Sequence, residues 1–509
     1  MIRWSISSAA GWRLLRVSGS QEGCALSDDL HAALQQHFGF SEFRPGQEDV
    51  IRALLQGRNC LAVLPTGQGK SLTYQLPTLL TKQLTVVVSP LIALMIDQVK
   101  HLQEANLGAA VALNSELTWD EQQSVLNRLD KWRYLFAAPE TLTRPDVVAA
   151  LQHHGVGLLV VDEAHCISEW GPDFRPAFLQ LGHVLQLLQP QRVLALTATA
   201  SPRVRRDICR RLGLTAANTT VVSRSVDRPN IWLDTCPVTS EKEKDTLLPK
   251  LLAAIPGRVI IYFNRKQRAN EVAIALTAQG IAVGRYHSGL ERDERRSLQH
   301  QFREGYIRVV CATNAFGMGI DQPNVRAVIH MAPPTSLEDY LQAIGRAGRD
   351  GAPAAAITLL APGDIPQLQQ DAVRGFPPAS LIQAYFHRPA QFAKDETPEI
   401  ALLKRYRAFA DASAVTQLLA ATQQTRQTSA AQMVHFYTAP DTICRRQLVL
   451  NAFDPEPRQV HHTADCCAVT TPTALLQHLT ALAWPADAAL RVHRPEPVQS
   501  VAARLAQLF

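Results

Sequence analysis

Short, continuously apolar segments recur along the chain, and amphipathic segments separate them. The first set consists of NCLAVLP, TVVVSP, YLFAAP, GLLVVDE and RVLALTATA. A strand that is apolar at every position is buried on both faces, which is typical of parallel sheets covered by helices. The alternation of such strands with helices therefore predicts an α/β domain built on a parallel sheet.

The same alternation begins again after SVDRPNIW. The second set consists of RVIIYFN, IAVGRYH, IRVVCATN, AVIHMAP and AAITLLAP. With 509 residues, the chain is also too long for one hydrophobic core. The sequence thus predicts two α/β domains of similar size, joined near residues 215–230. Beyond about Pro362 it predicts a mainly helical region without clear strands.

The bulk composition argues against several classes of protein. No segment approaches the ~18 apolar residues of a membrane-spanning helix, and the first residues lack the apolar core of a signal peptide. Most of the nine cysteines lie singly in apolar segments, which favours reduced thiols in a cytoplasm over a disulfide framework. The net charge of +6 favours an anionic partner, but ordinary solvated surface explains it equally well.

A glycine-rich loop, LPTGQGKS, lies between a predicted strand and a predicted helix. Glycines let the backbone N–H groups face a phosphate, and the helix dipole adds positive potential. Lys70 can reach the β- and γ-phosphates, and Ser71 can ligate Mg²⁺. Leu64 stands where the strict phosphate-loop pattern has glycine, so a simple strand–helix turn is the alternative. The predicted nucleotide-binding residues are Thr66, Gly67, Gln68, Gly69, Lys70 and Ser71.

Two acids, Asp162 and Glu163, end a later predicted strand. In a phosphate-loop NTPase, an aspartate at this place holds Mg²⁺ and the neighbouring glutamate orients the attacking water. An ordinary acidic strand end is the alternative. Together with the loop, the acids predict an ATP- and Mg²⁺-dependent hydrolase.

The loop after these acids, AHCISEWGPDFRP, carries aromatic residues and an arginine. Trp170 and Phe174 can stack on bases of any sequence, and Arg175 can contact phosphate. Both aromatics could instead be core residues, but Gly171 and Pro172 between them argue against a helix or strand that buries both. The loop therefore predicts contact with a nucleic-acid strand.

Several motifs together resemble a known family. DEAH at Asp162–His165, TAT at Thr197–Thr199 and QAIGRAGRDG at Gln342–Gly351 resemble a superfamily-two helicase core. LQQHFGFSEFRPGQEDVI, AHCISEWGPDFRP, NAFGMGIDQPNVRAVIH and IGRAGRDG resemble the RecQ DNA helicases in particular. The resemblance covers about residues 30–365 and continues more faintly to about residue 470.

The resemblance implies a domain order and a fold class, α/β with two RecA-like parallel-sheet domains in tandem. A small, mainly helical subdomain follows, with a zinc site implied by the same resemblance. The expected limits are an N-terminal extension (1–26), an ATP-binding RecA-like domain 1 (27–218), a RecA-like domain 2 (219–365), a helical RecQ zinc-binding-like subdomain (366–470) and a short C-terminal tail (471–509).

The resemblance also implies roles for individual residues. Phe40 would stack on adenine, while Arg44 and Gln47 would read its edge. From the second domain, Arg346 and Arg349 would approach the γ-phosphate when the two domains close. There they would stabilise the charge on the phosphoryl group that is transferred. The implied catalytic set is Lys70, Asp162, Glu163, Gln342, Arg346 and Arg349, with Ser71 and Asp162 on Mg²⁺.

Loops that follow other strands are expected to hold the backbone of the nucleic acid. Hydroxyls, backbone N–H groups and basic side chains suit phosphate oxygens, and such contacts read no sequence. Structural turns explain these loops equally well. The expected contacts here are Ser89, Asn264 and His287, in addition to Trp170, Phe174 and Arg175.

A zinc site is implied by TICRRQLVLNAFD, which resembles the start of the zinc-binding subdomain of the family. Cys444 matches the first cysteine there, but the expected CxxCxxC spacing is replaced by HHTADCC. Neutral imidazole is a normal zinc ligand. The candidate ligands are Cys444, His461 or His462, Cys466 and Cys467; helices that pack without metal are the alternative.

The resemblance implies an ATP-dependent 3′-to-5′ DNA helicase that couples translocation on single-stranded DNA to duplex unwinding in repair and recombination. Only about forty residues follow Cys467, so we expect a short form without the winged-helix and HRDC domains. An RNA helicase, or a DNA-stimulated translocase or annealing module with weak unwinding, stays open. Expected partners are single-stranded, forked and duplex DNA and a single-stranded-DNA-binding protein. The chain is expected to be a monomer in the cytoplasm, associated with the nucleoid and not with a membrane.

Overall fold

The computed structural model describes the chain in two compact units. The described residues are 2–6, 12–16, 22–168, 176–316, 322–454, 456–463 and 465–485. Unit 1 consists of Met1–Asp227, Ala372–Ser429 and Val449–Arg458, and unit 2 of Arg228–Asp371, Ala430–Leu448 and Gln459–Phe509. The predicted helical segment 366–470 therefore contributes to both units.

Unit 1 is built on a seven-stranded sheet in which every pairing is parallel. Its strands stand in the order β5-β6-β4-β7-β8-β3-β9, and a separate antiparallel pair, β1 and β2, precedes them in the chain. The strands are β1 (Ile2–Ile6), β2 (Trp12–Arg16), β3 (Asn59–Val63), β4 (Thr85–Val88), β5 (Ala110–Leu113), β6 (Tyr134–Ala137), β7 (Leu158–Val161), β8 (Arg192–Thr197) and β9 (Thr219–Ser223).

Helices cover both faces of this sheet. Along β3, Leu61 and Val63 pack into one hydrophobic cluster, while Cys60 and Ala62 pack into another. This alternation confirms strands buried on both faces. The helices are α1 (Glu22–Phe38), α2 (Gln47–Leu55), α3 (Leu72–Thr81), α4 (Ile92–Glu104), α5 (Trp119–Leu126), α6 (Pro139–Leu142), α7 (Pro145–His154), α8 (Leu181–Leu188) and α9 (Pro202–Arg211).

Unit 2 contains a second seven-stranded, all-parallel sheet in the order β12-β13-β11-β14-β15-β10-β16. Its strands are β10 (Ile231–Pro237), β11 (Arg258–Tyr262), β12 (Val283–Tyr286), β13 (Val309–Ala312), β14 (Val325–His330), β15 (Ala354–Leu360) and β16 (Cys467–Val469). Its helices are α10 (Glu241–Ala254), α11 (Lys266–Ala278), α12 (Arg292–Glu304), α13 (Leu337–Ile344) and α14 (Asp364–Asp371). Two parallel-sheet α/β domains in tandem are thus confirmed.

The remaining helices are α15 (Ala379–His387), α16 (Pro398–Tyr406), α17 (Ala412–Thr438), α18 (Arg445–Phe453) and α19 (Pro472–Ala481). Leu475 and Leu479 of α19 pack into the core of unit 2 beside α10 residues such as Leu251. None of the helices in the described part of the chain is both long and apolar enough to cross a membrane.

One expectation about the C-terminal region was wrong. No strand was predicted beyond Pro362, yet β16 pairs in parallel with β10, with Cys467 opposite Leu233. A strand of three residues is too short to show a periodic pattern. Its partner also lies far earlier in the chain, so no local signal marks the pairing.

A fully buried lysine, Lys244 on α10, stabilises unit 2. Its Nζ donates to the carbonyl oxygen of Met331 at 2.7 Å and lies 2.6 Å from carboxylate oxygens of both Asp364 and Glu241. Burial raises the pKa of Asp364, and the charge of Lys244 opposes that rise. Removal of Lys244 would therefore leave the carboxylate of Asp364 buried without a cation to balance its charge.

We expect Lys244→Met to lower the free energy of unfolding of unit 2 by about 3–5 kcal/mol, because Asp364 is left buried without its cation. Without Lys244, the raised pKa of Asp364 makes this loss larger at alkaline than at mildly acidic pH. Urea unfolding at two pH values measures both effects. Lys250→Met, an exposed site on the same helix, is the control. Equal losses in the two variants would contradict the assignment.

Candidate functional site

The glycine-rich loop joins the end of β3 to the start of α3. Gly67 and Gly69 have φ angles of 83° and 64°, a left-handed conformation that glycine adopts without strain. The N–H of Leu72 donates to the carbonyl of Gly69 at 3.2 Å, so the helix begins within the loop itself. The positive end of the helix dipole therefore lies at the loop, as a phosphate site requires.

Lys70 and Ser71 are both half-buried at this loop. The hydroxyl of Ser71 donates to Oε1 of Gln98 at 3.4 Å, and the hydroxyl of Tyr74 donates to the same oxygen at 3.3 Å. Gln98, on α4, was not predicted as a site residue. The signal that could have identified it is a polar side chain on α4, the helix that follows β4.

Two of the three residues expected to bind adenine, Arg44 and Gln47, contact the same loop. Phe40 is 57% exposed, so its ring is open to a stacking partner. The amide nitrogen of Gln47 donates to the carbonyls of Gln68 (2.7 Å) and Gly69 (2.9 Å), and the guanidinium of Arg44 contacts the carbonyl of Gly67. In this structure Arg44 and Gln47 thus hold the loop backbone, and reading of adenine stays a prediction.

Asp162 and Glu163 directly follow β7, at the same edge of the sheet as the loop after β3. Only β8 separates these two strands, so their ends lie roughly 10 Å apart, which leaves room for phosphates and a cation. Oδ1 of Asp162 accepts a hydrogen bond from the N–H of Glu163 at 2.9 Å. Glu163 itself has a φ of 49°, a strained conformation for a residue with a side chain.

A histidine links the acids to the TAT motif. Nδ1 of His165 lies 3.3 Å from Oε2 of Glu163 and 3.1 Å from Oγ1 of Thr197. The hydroxyl of Thr197 in turn lies 3.0 Å from the carbonyl of Thr199. The sequence assigned no role to His165, although it belongs to the DEAH motif. Its ring thus lies between the carboxylate of Glu163 and the hydroxyl of Thr197.

The electrostatics of Asp162 suit a cation. Burial raises the pKa of its carboxyl, the charge of Glu163 raises it further, and Lys70 opposes the rise. A divalent cation would remove this cost by neutralising the two carboxylates, and oxygen ligands such as Asp162 and Ser71 are those that Mg²⁺ prefers. The residues present therefore fit the expected magnesium site.

We expect binding of Mg²⁺-ATP to weaken as the pH falls from about 8 to about 6, because Asp162 with its raised pKa must lose a proton before it holds the cation. Isothermal titration at several pH values measures this. ATP itself titrates in the same range. Asp162→Asn is therefore measured in parallel, because its remaining pH dependence is the part that comes from the nucleotide. Identical pH dependence in both proteins would contradict the role of Asp162.

In unit 2, the residues from Gly345 to Gly351, here called the arginine loop, carry the two predicted arginines. Arg346 is 5% exposed and contributes a hydrogen bond to the hydroxyl of Tyr262, while Arg349 is half-buried. The Tyr262 hydroxyl donates to the carbonyl of Phe316 at 2.6 Å. Gln342 is half-buried on α13, which leads into the loop.

The predicted nucleic-acid contacts differ in exposure. Asn264 is exposed after β11, whereas Ser89 and His287 are only 3% and 6% exposed. Nε2 of His287 lies 3.0 Å from Oδ1 of Asn270, and Nδ1 accepts from the N–H of Gly289 at 3.2 Å. The side chains of Ser89 and His287 are thus largely buried in this structure, and their contact with nucleic acid stays a prediction.

Trp170, Phe174 and Arg175 lie outside the described residues. The last described residue before them is Ser168, whose hydroxyl donates to Oδ2 of Asp207 at 2.9 Å. The first described residue after them is Pro176, which begins a short 3₁₀ helix. Their contact with a nucleic-acid strand therefore stays a prediction.

Four side chains of unit 2 form a compact cluster of metal-binding groups. The ligand atoms of Cys444, His462, Cys466 and Cys467 all lie within 4.8 Å of one another. Sγ of Cys444 is 3.7 Å from that of Cys466 and 3.5 Å from that of Cys467. The adjacent cysteines can converge because Cys466 precedes β16, where the alternation of strand side chains does not apply. Three thiols and an imidazole are a donor set that zinc takes.

The histidine of this cluster corrects one expectation. His462, not His461, places a ring nitrogen, Nδ1, 3.5 Å from Sγ of Cys467. Both histidines are exposed, and the sequence alone does not tell two adjacent histidines apart.

Family models match both units. Residues 44–208 match the DEAD/DEAH box helicase model, and residues 243–351 match the helicase conserved C-terminal domain. Dbp5 of Saccharomyces cerevisiae, solved with RNA and ADP BeF3, shares the fold at 21% identity and a TM-score of 0.55, over 69% of this chain and 93% of that chain. Fold and motifs together define a superfamily-two helicase core with two RecA-like domains.

Curated relatives identify the family. The probable ATP-dependent DNA helicase RecS of Bacillus subtilis is 42% identical over 68% of this chain and 69% of its own length. RecQ of Synechocystis is 41% identical over 65% and 70%, and RecQ of Pasteurella multocida is 42% identical over 66% and 52%. The chain belongs to the RecQ family of ATP-dependent DNA helicases. It spans between about half and 70% of the lengths of these three relatives.

Proposed function

We propose that this chain is an ATP-dependent DNA helicase that hydrolyses ATP with Mg²⁺ and moves 3′ to 5′ along single-stranded DNA. One observation carries the ATPase part: the glycine loop and the acid pair lie at one edge of a parallel sheet, on either side of β8. Membership of the RecQ family supports DNA as the substrate, the polarity, and a role in repair and recombination. A single-stranded-DNA-binding protein as partner, a monomeric state and association with the nucleoid are further predictions.

The residues divide the reaction between them. The backbone of Gly67 to Gly69 and the ammonium of Lys70 bind the phosphates. Ser71 and Asp162 would hold Mg²⁺, which would neutralise charge on the phosphates. Glu163, which lies beside His165, orients the attacking water. Arg346 and Arg349 stabilise the charge of the transferring phosphoryl group, an effect often worth about 10³-fold or more.

We expect single-stranded DNA to stimulate ATP hydrolysis more strongly than RNA of the same sequence. Steady-state ATPase rates with both polymers measure this, and Lys70→Ala, which removes the phosphate contact, should reduce hydrolysis to background. Stronger stimulation by RNA would favour an RNA helicase of the same superfamily over the proposal.

Strand displacement tests whether the motor unwinds a duplex. We expect displacement of a duplex that carries a 3′ single-stranded tail and none with a 5′ tail, because a 3′-to-5′ motor must load on the 3′ tail. A forked duplex that stays paired while ATP is consumed would instead indicate a translocase or annealing module. Preference for the 5′ tail would contradict the polarity.

The aromatic loop is expected to couple DNA to hydrolysis. We predict that Trp170→Ala or Arg175→Ala leaves DNA-free hydrolysis largely intact and reduces its stimulation by DNA, since stacking on a base contributes ~1–3 kcal/mol. Stimulation curves against DNA concentration measure the effect. Trp119→Ala, at an exposed tryptophan on α5, is a control for loss of a surface aromatic. Full stimulation in both loop variants would show that the loop is not the coupler.

We also propose that the cysteine cluster binds zinc through Cys444, His462, Cys466 and Cys467. The two adjacent histidines provide a matched pair of variants. Loss of a residue that only supports a metal ligand lowers metal affinity by ~10–100-fold, and loss of a direct ligand should cost at least as much. We therefore expect His462→Ala to weaken zinc affinity by at least that factor and His461→Ala to leave it unchanged. Elemental analysis and competition with a chelator measure the affinity. Equal zinc affinity in both variants, or no zinc in the wild type, would contradict this ligand set.

A further inference from the structure

Two side chains from the peptide that opens unit 2 hold the arginine loop by its carbonyl groups. Nη2 of Arg228 donates to the carbonyls of Ala347 at 3.1 Å and Gly348 at 2.6 Å. Nδ2 of Asn230 donates to the carbonyls of Gly348 at 2.8 Å and Ala352 at 2.9 Å. The anchored peptides therefore lie between and just beyond the two predicted arginines.

The approach of Asn230 is close enough to fix the conformation of the loop. Gly348 has a φ of 54°, and a Cβ added there would lie 2.5 Å from Nδ2 of Asn230 and 2.8 Å from the carbonyl oxygen of Ala352. The N–H of Gly348 also donates to the carbonyl of Val325, at the start of β14, at 2.9 Å. The loop is thus tied to the sheet on one side and to the opening peptide on the other.

A buried guanidinium joins that peptide to the cysteine cluster. Arg446 is 5% exposed and donates to the carbonyls of Arg228 at 2.9 Å and Ile231 at 2.5 Å. The same side chain donates through Nε to Sγ of Cys466 at 3.3 Å and through Nη2 to the Cys466 carbonyl at 3.2 Å. A continuous set of hydrogen bonds therefore runs from the cluster to the arginine loop within unit 2.

We infer that Arg228 and Asn230 are positioning residues for Arg346 and Arg349, and that Arg446 transmits the state of the cysteine cluster to them. The inference rests on the proposed function, because it takes the two arginines to act on the phosphates of ATP. Several partly buried hydrogen bonds from guanidinium and amide donors to the loop carbonyls restrict the loop to one arrangement. If Cys466 leaves its present place, Arg446 loses two acceptors and the opening peptide loses its fixed position.

Kinetics of three variants test the positioning role. We expect Arg228→Met and Asn230→Ala to lower the DNA-stimulated kcat by roughly 10–100-fold with little change in KM for ATP, because a misplacement of ~1 Å costs about 10²-fold. Arg228→Lys, which keeps one charged donor, should recover part of the loss. A merely structural role would not produce this split between kcat and KM.

Arg308→Met is the matched control in unit 2. Arg308 is a partly buried arginine that also donates to backbone carbonyls, among them that of Gly257 at 2.9 Å, but it does not touch the arginine loop. We expect its kcat to stay near wild type. An equal loss in Arg308→Met, or full kcat in both Arg228→Met and Asn230→Ala, would overturn the inference. A wild type without DNA-stimulated hydrolysis would instead refute the proposed function.

Hydrogen–deuterium exchange tests the link from the cluster without measuring activity. We expect residues 345–352 and 228–231 to exchange faster after a chelator removes zinc, and to recover when zinc is added back. In Arg446→Lys, which keeps a charge but cannot span the same acceptors, the response of 345–352 to zinc should be lost. Exchange at 345–352 that is independent of zinc in the wild type, while residues 461–470 respond, would overturn the link.

Discussion

A parallel strand that is buried on both faces carries mostly apolar side chains, so the polar groups of a binding site collect beyond its ends. This constraint organises unit 1, where Leu61 and Val63 face one core and Cys60 and Ala62 face the other. The groups that we propose to bind phosphate and cation consequently follow Val63 and Val161. Hydrogen bonds between neighbouring strands then fix the distance between the glycine loop and the acid pair, so the spacing of strands in the sheet determines the geometry of the site.

Arginine has a second role in this chain that its composition conceals. Arg205, Arg258, Arg326, Arg445 and Arg446 are each under 10% exposed and donate to backbone carbonyls. A guanidinium satisfies several carbonyls at once, which lowers the cost of burying irregular backbone. The net charge of +6 therefore includes cations whose hydrogen bonds are made to the protein's own backbone, and it is not a direct measure of the charge on the surface.

The sequence predicted the sheets well and the finer contacts less well. Strands such as RVLALT and RVIIY are mostly apolar and were identified correctly, while β5, β9 and β10 were missed because their patterns are shorter or mixed. The glycine loop and the acids were placed because their chemistry depends on local spacing. The contact of Gln98 with Ser71 depends on how two helices pack, and the choice of His462 over its neighbour depends on the local backbone, so the sequence pattern alone did not specify either contact.

The edge strand β16 gives unit 2 a dependence on the order of synthesis. β10 pairs with β15 on one side and with β16 on the other. Roughly one hundred residues separate β15 from β16, which corresponds to several seconds of translation at ~5–20 residues per second. During that interval the nascent sheet presents β10 as an open edge, the kind of surface on which unfinished chains aggregate. A chain that ends in this stretch would keep both sets of helicase motifs but would leave Leu233 to Thr235 of β10 without their partner strand.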